Sequence, residues 1–175
     1  DTLVQHERMS TQDLLLAIGE AVARGETEFE IHASGQHDIG GPLWNAEGRT
    51  LHFHVTNPGQ RVGCMGLDHT EIVVDGSASA DVGWLNSGAS ITVKGDAGDT
   101  AGHCAASGVI YIGGRAGTRS GSLMKHDPLY PEPELWILES TGSFPCEFMG
   151  GGKMVVCGLD TPEGVSVLGE RACVG

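Results

Sequence analysis

Alternating apolar and polar side chains mark a short strand near the start of this chain. Residues 28–33 carry Phe29, Ile31 and Ala33 on one side and polar side chains on the other. Because successive side chains of a strand point to opposite faces, this alternation is typical of a half-buried strand. We therefore predict a strand at 28–33.

Just before this strand, residues 10–24 repeat their apolar positions at helical spacing. Ser10 is a favourable N-cap, Asp13 stands three positions later, and Gly25 suits the left-handed residue that ends many helices. The pattern predicts one amphipathic helix, whose apolar face is formed by Leu14, Leu15, Ile18 and Val22.

From about residue 50, a β-branched run followed by spaced glycines recurs every 19 residues. One short strand per fixed period of this length is typical of a solenoid, in which each repeat stacks on the next. The pattern predicts an all-β solenoid with about 19 residues per turn, capped at one end by the helix. The runs begin at Phe53, Ile72, Ile91 and Ile110, and the glycines that we assign to structural turns are Gly76, Gly83, Gly95, Gly102, Gly114, Gly121, Gly151, Gly152 and Gly158.

This organisation predicts two units. We expect a helix-and-strand cap at 1–33 and the repeats at 34–175. A loop insertion at 125–134 interrupts the repeats, because its three prolines cannot donate hydrogen bonds to a strand ladder. Residues 164–170 begin one more turn, so we expect a partner or further chain to cover that end.

Charge and composition narrow the class of protein. The chain has 175 residues, 28 glycines and a formal net charge of −13. Such an acidic surface repels phosphate backbones, so we expect no nucleic-acid partner. We expect no membrane span and no secretory signal, because no apolar run approaches ~20 residues and no basic segment opens the chain. The five cysteines lack close spacing, which argues against a disulfide framework and favours a reducing cytoplasm.

The segment Cys146–Gly158 joins Cys-Glu-Phe-Met, a glycine run and a valine-rich strand. This order resembles the GXGXG domain of the glutamate synthase large subunit, a single-stranded right-handed parallel β-helix. The turns at Val93–Asp99 and Ile112–Gly117 are similar to the turn pattern of that domain. The layout over residues 10–175 looks closest to the stand-alone GXGXG subunit of glutamate-synthase-like proteins. It looks more distantly similar to one of the subunits of formylmethanofuran dehydrogenase.

Three places depart from the family pattern. Cys64 stands one repeat before Gly83, with Gly63 next to it. Asn57-Pro58-Gly59 stands in place of a Gly-x-Ala turn, and Pro145 stands near an expected glycine. We interpret all three as local turn variations that leave the resemblance intact.

The resemblance implies a structural role. In these families the β-helix holds no catalytic residue, so we expect no catalytic, cofactor-binding or metal-binding residue in this chain. FMN and iron–sulfur clusters are expected in partner subunits, which would be synthase-like and amidotransferase-like proteins. The resemblance leaves open which reaction the complex catalyses and whether this chain takes a direct part in it.

For two glycine-rich segments, nucleotide binding is the alternative to a turn of the repeat. Residues 113–121 can be mistaken for a dinucleotide fingerprint, but that fingerprint requires a helix directly after the glycines. Here turn residues follow, and the same glycines recur in other repeats. Residues 150–154 lack the Ser or Thr of a P-loop, because Met154 stands there.

Metal binding is a second alternative. His52 and His54 lie on one face of a strand, and with His69, His103 or a carboxylate they could form a surface metal site. Plain surface histidines are the simpler interpretation. The cysteines are scattered too widely for a ligand loop, so we interpret them as small packed residues.

Three residues are candidates for contacts with a partner protein. Arg115 and Arg119 flank one turn and form a local cationic spot in an acidic chain, and Tyr130 lies on the loop. Ordinary solvated side chains are the alternative. The tryptophans Trp44, Trp84 and Trp136 would be interface anchors where exposed and core residues where buried.

We therefore hypothesise a non-catalytic scaffold subunit of a glutamate-synthase-like flavin and iron–sulfur oxidoreductase complex. One alternative is a subunit of a formylmethanofuran-dehydrogenase-like or other redox complex. Another is an independent metal-binding enzyme that uses the histidines and carboxylates of one face.

Overall fold

A computed structural model describes residues 8–41 and 46–172 of the chain. The described residues form one helix, α1 (Thr11–Ala23), and seven strands that make a single sheet in sequence order. Every neighbouring pair of strands is parallel. The strands are β1 (Glu28–His32), β2 (Leu51–Thr56), β3 (Thr70–Asp75), β4 (Ser87–Val93), β5 (Ser107–Ile112), β6 (Glu134–Ile137) and β7 (Lys153–Val156).

The predicted fold class is wrong. In place of a single-stranded right-handed parallel β-helix, the described residues give one parallel sheet with β1 and β7 at its edges. The spacing is also uneven. Phe53 pairs with Ile72, 19 positions on, but Phe29 pairs with Phe53 after 24 positions and Ile110 with Leu135 after 25. The sequence repeat therefore identifies neighbouring strands, but it does not close the chain into a regular coil.

The predicted helix is confirmed. The Ser10 Oγ accepts a hydrogen bond from the backbone N–H of Asp13 at 3.1 Å, which caps the first turn of α1. Gly25 follows the last helical turn with a φ of +97°, a conformation that glycine adopts without strain. Ile18 and Val22 are buried in the same apolar core as the strands. The division into a cap at 1–33 and repeats beyond it remains a prediction.

The predicted strands are confirmed as elements, and their inward side chains form two apolar columns. Burying one side chain of this size contributes roughly 1.5–3 kcal/mol, so the columns are a major source of stability. One column contains Phe53, Ile72, Ile91, Ile110, Leu135 and Met154, and the other contains Val55, Val74, Val93, Ile112, Ile137 and Val156. At the first column, the ring of Phe29 stacks on that of Phe53 with 4.7 Å between centroids.

The connections between strands are also bonded to one another. The N–H of Gly95 donates to the carbonyl of Gly76 at 2.8 Å, and the N–H of Gly114 donates to the carbonyl of Gly95 at 2.9 Å. Because main-chain bonds join equivalent positions of successive connections, a displacement of one connection strains the next. Main-chain hydrogen bonds therefore join successive units of the molecule both in the sheet and in the connections.

The loop predicted at 125–134 connects β5 to β6, and its last residue already belongs to β6. Both ends of the loop approach the glycine pair before β7. A Cβ atom on Gly151 would lie 2.8 Å from the Cβ of His126, and one on Gly152 would lie 2.8 Å from the Cγ of Pro133. The two glycines therefore leave the space that the loop ends occupy.

Candidate interaction surface

Left-handed backbone positions shape the connection between β5 and β6. Arg119, Gly121 and Leu123 have φ angles of +55°, +71° and +56°. This conformation is uncommon for residues other than glycine, asparagine and aspartate. The sequence therefore does not predict it at Arg119 or Leu123. Both of these side chains are exposed at the surface of the turn.

The predicted contact residue Arg119 belongs to a small cluster around Phe144. Its Nε donates to the Oε2 of Glu147 at 2.9 Å, and its guanidinium carbon lies 4.8 Å from the centre of the Phe144 ring. The guanidinium carbon of Arg171 lies 5.6 Å from the same ring. Two cationic side chains are therefore held beside one aromatic ring by charge and cation–π attraction.

Phe148 is a large, exposed apolar residue that the sequence analysis did not name among the candidates for partner contacts. Its side chain is 77% exposed, although the Cys-Glu-Phe-Met segment drew attention only as a family signature. The N–H of Leu123, itself 43% exposed, donates to the carbonyl of Glu147 at 2.9 Å, which places Leu123 beside the Phe148 segment. Arg119, Leu123, Phe144 and Phe148, with Arg171, form what we call the Phe148 surface.

The other two predicted contact residues lie elsewhere. Arg115 is exposed, and its N–H donates to the Oδ1 of Asp96 at 2.8 Å in the connection after β5. Tyr130 is 59% exposed and lines a cleft together with Val109 of β5. Within the described ranges no hydrogen bond, ion pair or ring contact is seen between Tyr130 and either arginine, so the three residues do not form one site.

The paired histidines lie on an exposed face of the sheet between carboxylates. The Nδ1 of His52 lies 2.8 Å from the Oε2 of Glu71, and the Nδ1 of His54 lies 2.9 Å from the Oε2 of Glu30. On its other side, the Nε2 of His54 lies 3.6 Å from the Oδ2 of Asp75. These pairs link the side chains of β1, β2 and β3 across the surface.

The other two candidate histidines lie apart from this face. His103 contacts the hydroxyl of Ser122 through its Nδ1 at 2.5 Å, and His69 lies beside Asp68. Across the part of the chain that the structure describes, no group of three or more His, Cys, Asp or Glu side chains is placed to hold a metal ion.

Individual cysteines differ strongly in environment. Cys64 is buried, and burial, together with the nearby carboxylate of Asp38, raises the pKa of its thiol to about 12. The Sγ of Cys146 lies 3.1 Å from the Sδ of Met154, whereas Cys157 is exposed. The sequence interpretation of small packed residues thus fits Cys64 and fails for Cys157. Cys173 lies outside the described residues.

Two of the three tryptophans lie in the described part, and both are half-buried. The Nε1 of Trp136 donates to the Oε1 of Glu134 at 3.3 Å, across the outer face of β6. Trp84 lies in the connection between β3 and β4. Neither side chain is as exposed as that of Phe148, and Trp44 lies outside the described residues.

The two glycine-rich segments have the geometry of turns. Residues 113–121 continue into further turn residues and not into a helix, and residues 150–152 lead into β7. A phosphate site of either predicted alternative type needs a helix N-terminus directly after the glycines. Neither segment is followed by such a helix. Among the described residues, no helix is long and apolar enough to cross a membrane.

The comparisons with known proteins support the resemblance to the GXGXG domain at the level of the family. The family model of the GXGXG motif matches residues 19–169, which is most of the chain. Comparison with curated proteins and with solved structures finds no match. This family is associated with glutamate-synthase-type proteins. The chain belongs to the GXGXG motif family.

Proposed function

We propose that this chain is a structural, non-catalytic subunit or domain of a glutamate-synthase-like oxidoreductase complex. It would hold synthase-like and amidotransferase-like partners at a fixed separation, with FMN and iron–sulfur clusters bound by those partners. The observation that carries the proposal is the family match over residues 19–169. A reducing cytoplasm is the proposed compartment, where the exposed thiol of Cys157 stays reduced.

The stiffness of the central sheet supports a spacing role. Six parallel strand pairs join the seven strands in sequence order, and hydrogen bonds such as Gly95 to Gly76 join the connections. A spacer must keep its shape when partners bind at different places. Hydrogen bonds in both the strands and the turns would supply that rigidity, because they tie each connection to its neighbours.

The Phe148 surface supports a docking role. A largely exposed phenylalanine next to a half-exposed leucine is an apolar patch that a partner can cover. Arg171 adds positive charge beside this patch in a chain whose net charge is −13, and the charge of Arg119 is paired with the carboxylate of Glu147. The arrangement suits a partner surface with an apolar pocket rimmed by carboxylates, because opposite charges favour encounter and correct orientation.

Isolation of the tagged chain from its source organism tests the proposal. We expect the chain to be recovered with distinct protein subunits, and the eluate to contain FMN and iron. Identification of those subunits would also name the reaction. Partners of another redox class would replace the glutamate-synthase assignment, while recovery of the chain alone would contradict a scaffold role.

A pair of surface variants makes the test specific. Phe148→Ser removes the exposed ring of the Phe148 surface, whereas Leu16→Ser removes a leucine of α1 that is 62% exposed. We expect Phe148→Ser to lower recovery of at least one partner about tenfold, the scale of a moderate hot-spot residue. Leu16→Ser should recover the partners like the unaltered chain. Equal recovery with both variants would remove the Phe148 surface from the proposal.

A further inference from the structure

A separate cavity of about 660 Å³ lies beside the loop between β5 and β6. Asp127, Tyr130 and Pro131 of the loop form one wall, and the beginnings of β4 and β5 form another. The register of β4 against β5 shifts between Ser87 and Ser90, so regular strand pairing is interrupted where the cavity opens. The cavity is thus built by two independent features, an irregular strand start and an inserted loop.

Apolar groups and negative charges line this cavity together. Leu67 and Val109 contribute apolar surface, and Asp68 and Asp127 contribute carboxylates. The side chain of Asp68 is 94% exposed at the mouth of the cavity, and its Oδ1 lies 3.7 Å from the Nδ1 of His69. Among the described residues that line the cavity, none is basic. The charges inside therefore favour a cation, and the apolar surface favours a carbon stem attached to it.

Tyr130 provides a third element of recognition. Its side chain is exposed, and Tyr130 is one of the residues that line the cavity. An aromatic ring attracts an ammonium or guanidinium group that lies over its face. The two aspartates and this ring therefore favour the same class of ligand.

Ser107 gives a further indication that the cavity accommodates a ligand. The residue lines the cavity and is only 7% exposed. Its main-chain N–H donates to Asn86, but within the described residues no hydrogen bond of its hydroxyl is seen. The Ser107 hydroxyl does not belong to the fully buried unpartnered oxygens of the described residues, which are those of Ser140 and Thr161, so it is open to a hydrogen bond with a ligand at the cavity wall.

We propose that this cavity binds an organic cation, an ammonium or guanidinium group carried on a short apolar stem. The cation lies between Asp68, Asp127 and the ring of Tyr130, and the stem lies against Val109 and Leu67. The group belongs either to a small free molecule or to a lysine or arginine side chain. This site does not depend on the scaffold role, because the Phe148 surface is made of different residues.

A titration followed by NMR tests this site on the complete chain. n-Butylguanidinium and n-butylammonium serve as probes, and n-pentanol serves as an uncharged control of similar apolar length. We expect saturable shifts at the main-chain amides of Ser107, Val109 and Tyr130 with the cations and not with pentanol. The absence of saturable shifts with both cations, or equal shifts with pentanol, would overturn the proposal.

Variants inside and outside the cavity test whether cation binding depends on the two aspartates of its wall. Asp68→Asn combined with Asp127→Asn should weaken cation binding about fivefold or more, since exposed charge pairs typically change affinity on this scale. Asn retains an oxygen that can accept the hydrogen bond from the N–H of Leu129, so the loop should stay folded. Asp160→Asn changes an exposed carboxylate outside the cavity and should leave the affinity unaltered. Equal weakening by both changes would mean a general charge effect and would overturn the site.

Ser107→Ala and a peptide probe complete the design. Removing the hydroxyl should weaken binding of n-butylguanidinium without lowering the thermal midpoint of unfolding, and an unchanged affinity would remove Ser107 from the site. The blocked peptide acetyl-Gly-Arg-Gly-amide distinguishes the sources of the cation. Tighter binding of the peptide than of n-butylguanidinium would indicate a side chain of a partner, and weaker binding would indicate a free small molecule.

Discussion

A Cβ atom on Gly83 would overlap the Cδ1 of Ile110, so these two residues fit together because Gly83 has no side chain. The same relation joins Gly63 to Ile91. The glycines of these turns therefore provide space for the isoleucines of the inward column. The residue types at a turn position and at a core position far apart in sequence therefore depend on each other.

Gly83→Ala should destabilise the protein more than Gly76→Ala. Both glycines have positive φ, +64° and +97°, but a Cβ on Gly76 would meet no atom within 4 Å. Gly76→Ala should cost about 1–2 kcal/mol from backbone strain. Gly83→Ala should cost about 2–4 kcal/mol, because it adds a clash with Ile110 to that strain. Urea unfolding measures both, and equal losses would show that the contact with Ile110 is unimportant.

Gly95→Val tests a different reason for glycine. Gly95 is not among the residues with positive φ. Its Cβ would instead lie 2.6 Å from the Ser77 Oγ and 2.9 Å from the main chain of Gly76. The crowding should cost about 1–3 kcal/mol. Gly150→Val is the matched control, because its Cβ meets only the carbonyl of Met124, at 3.8 Å, and the same free-energy loss at both sites would contradict the explanation.

Alkaline pH should destabilise the protein through Cys64. Its thiol has a pKa raised to about 12 in the folded state by burial, from an ordinary value of 9.0. As pH rises above 9, the unfolded thiol loses its proton while the folded one keeps it, so the free energy of unfolding falls until about pH 12. Cys64→Ala should show a shallower fall between about pH 9 and 11. Identical slopes in urea unfolding series would contradict this role of the thiol.

The same burial should slow chemical modification of Cys64. A thiol reagent at about pH 8 should label the exposed Cys157 rapidly and leave Cys64 unmodified in the folded protein, because the thiolate is the reactive form. Peptide mapping by mass spectrometry distinguishes the two sites. Rapid labelling of Cys64 without denaturant would contradict its burial.

Lys94→Gln should raise the pKa of Asp75. The Lys94 Nζ lies 3.1 Å from the Oδ1 of Asp75 and is the main cause that lowers the pKa of this carboxyl, with His54 as a smaller one. A lowered folded-state pKa gives stability that is present at neutral pH and is lost as pH falls through that pKa. NMR titration of the Asp75 carboxyl in both proteins measures the change. An unaltered pKa in Lys94→Gln would show that the ion pair does not form in solution.

Local signals allowed the sequence to predict the helix and the strands. The signals for the two ends of α1, Ser10 and Gly25, lie next to the helix in the sequence. The inward columns of the strands are visible as apolar residues at repeated positions. The uneven connections before β2 and β6 could not be derived in the same way. Extra residues in a turn leave the apolar pattern of the next strand unchanged. The pattern therefore predicts the strands but not the path of the connection between them.

The candidate surface was harder to predict than the elements. Arg119 was identified from its charge, but the exposure of Phe148 depends on which neighbours leave it uncovered, and aromatic residues are usually buried. Cys146 adopts a φ of +60° next to Pro145, where the pattern led us to expect a glycine. A cysteine at such a position carries no sequence signal, because the surrounding contacts and not its own preference hold the conformation.

The scaffold role is tested most directly by size-exclusion chromatography of the complex isolated from its source organism. The quantity to measure is the ratio of FMN and iron to this chain across the peak. A structural subunit predicts a constant ratio across one peak that is larger than the chain alone, with both cofactors remaining on the partners after the chain is separated. A peak of the isolated chain, free of flavin and iron and without another subunit, would contradict it.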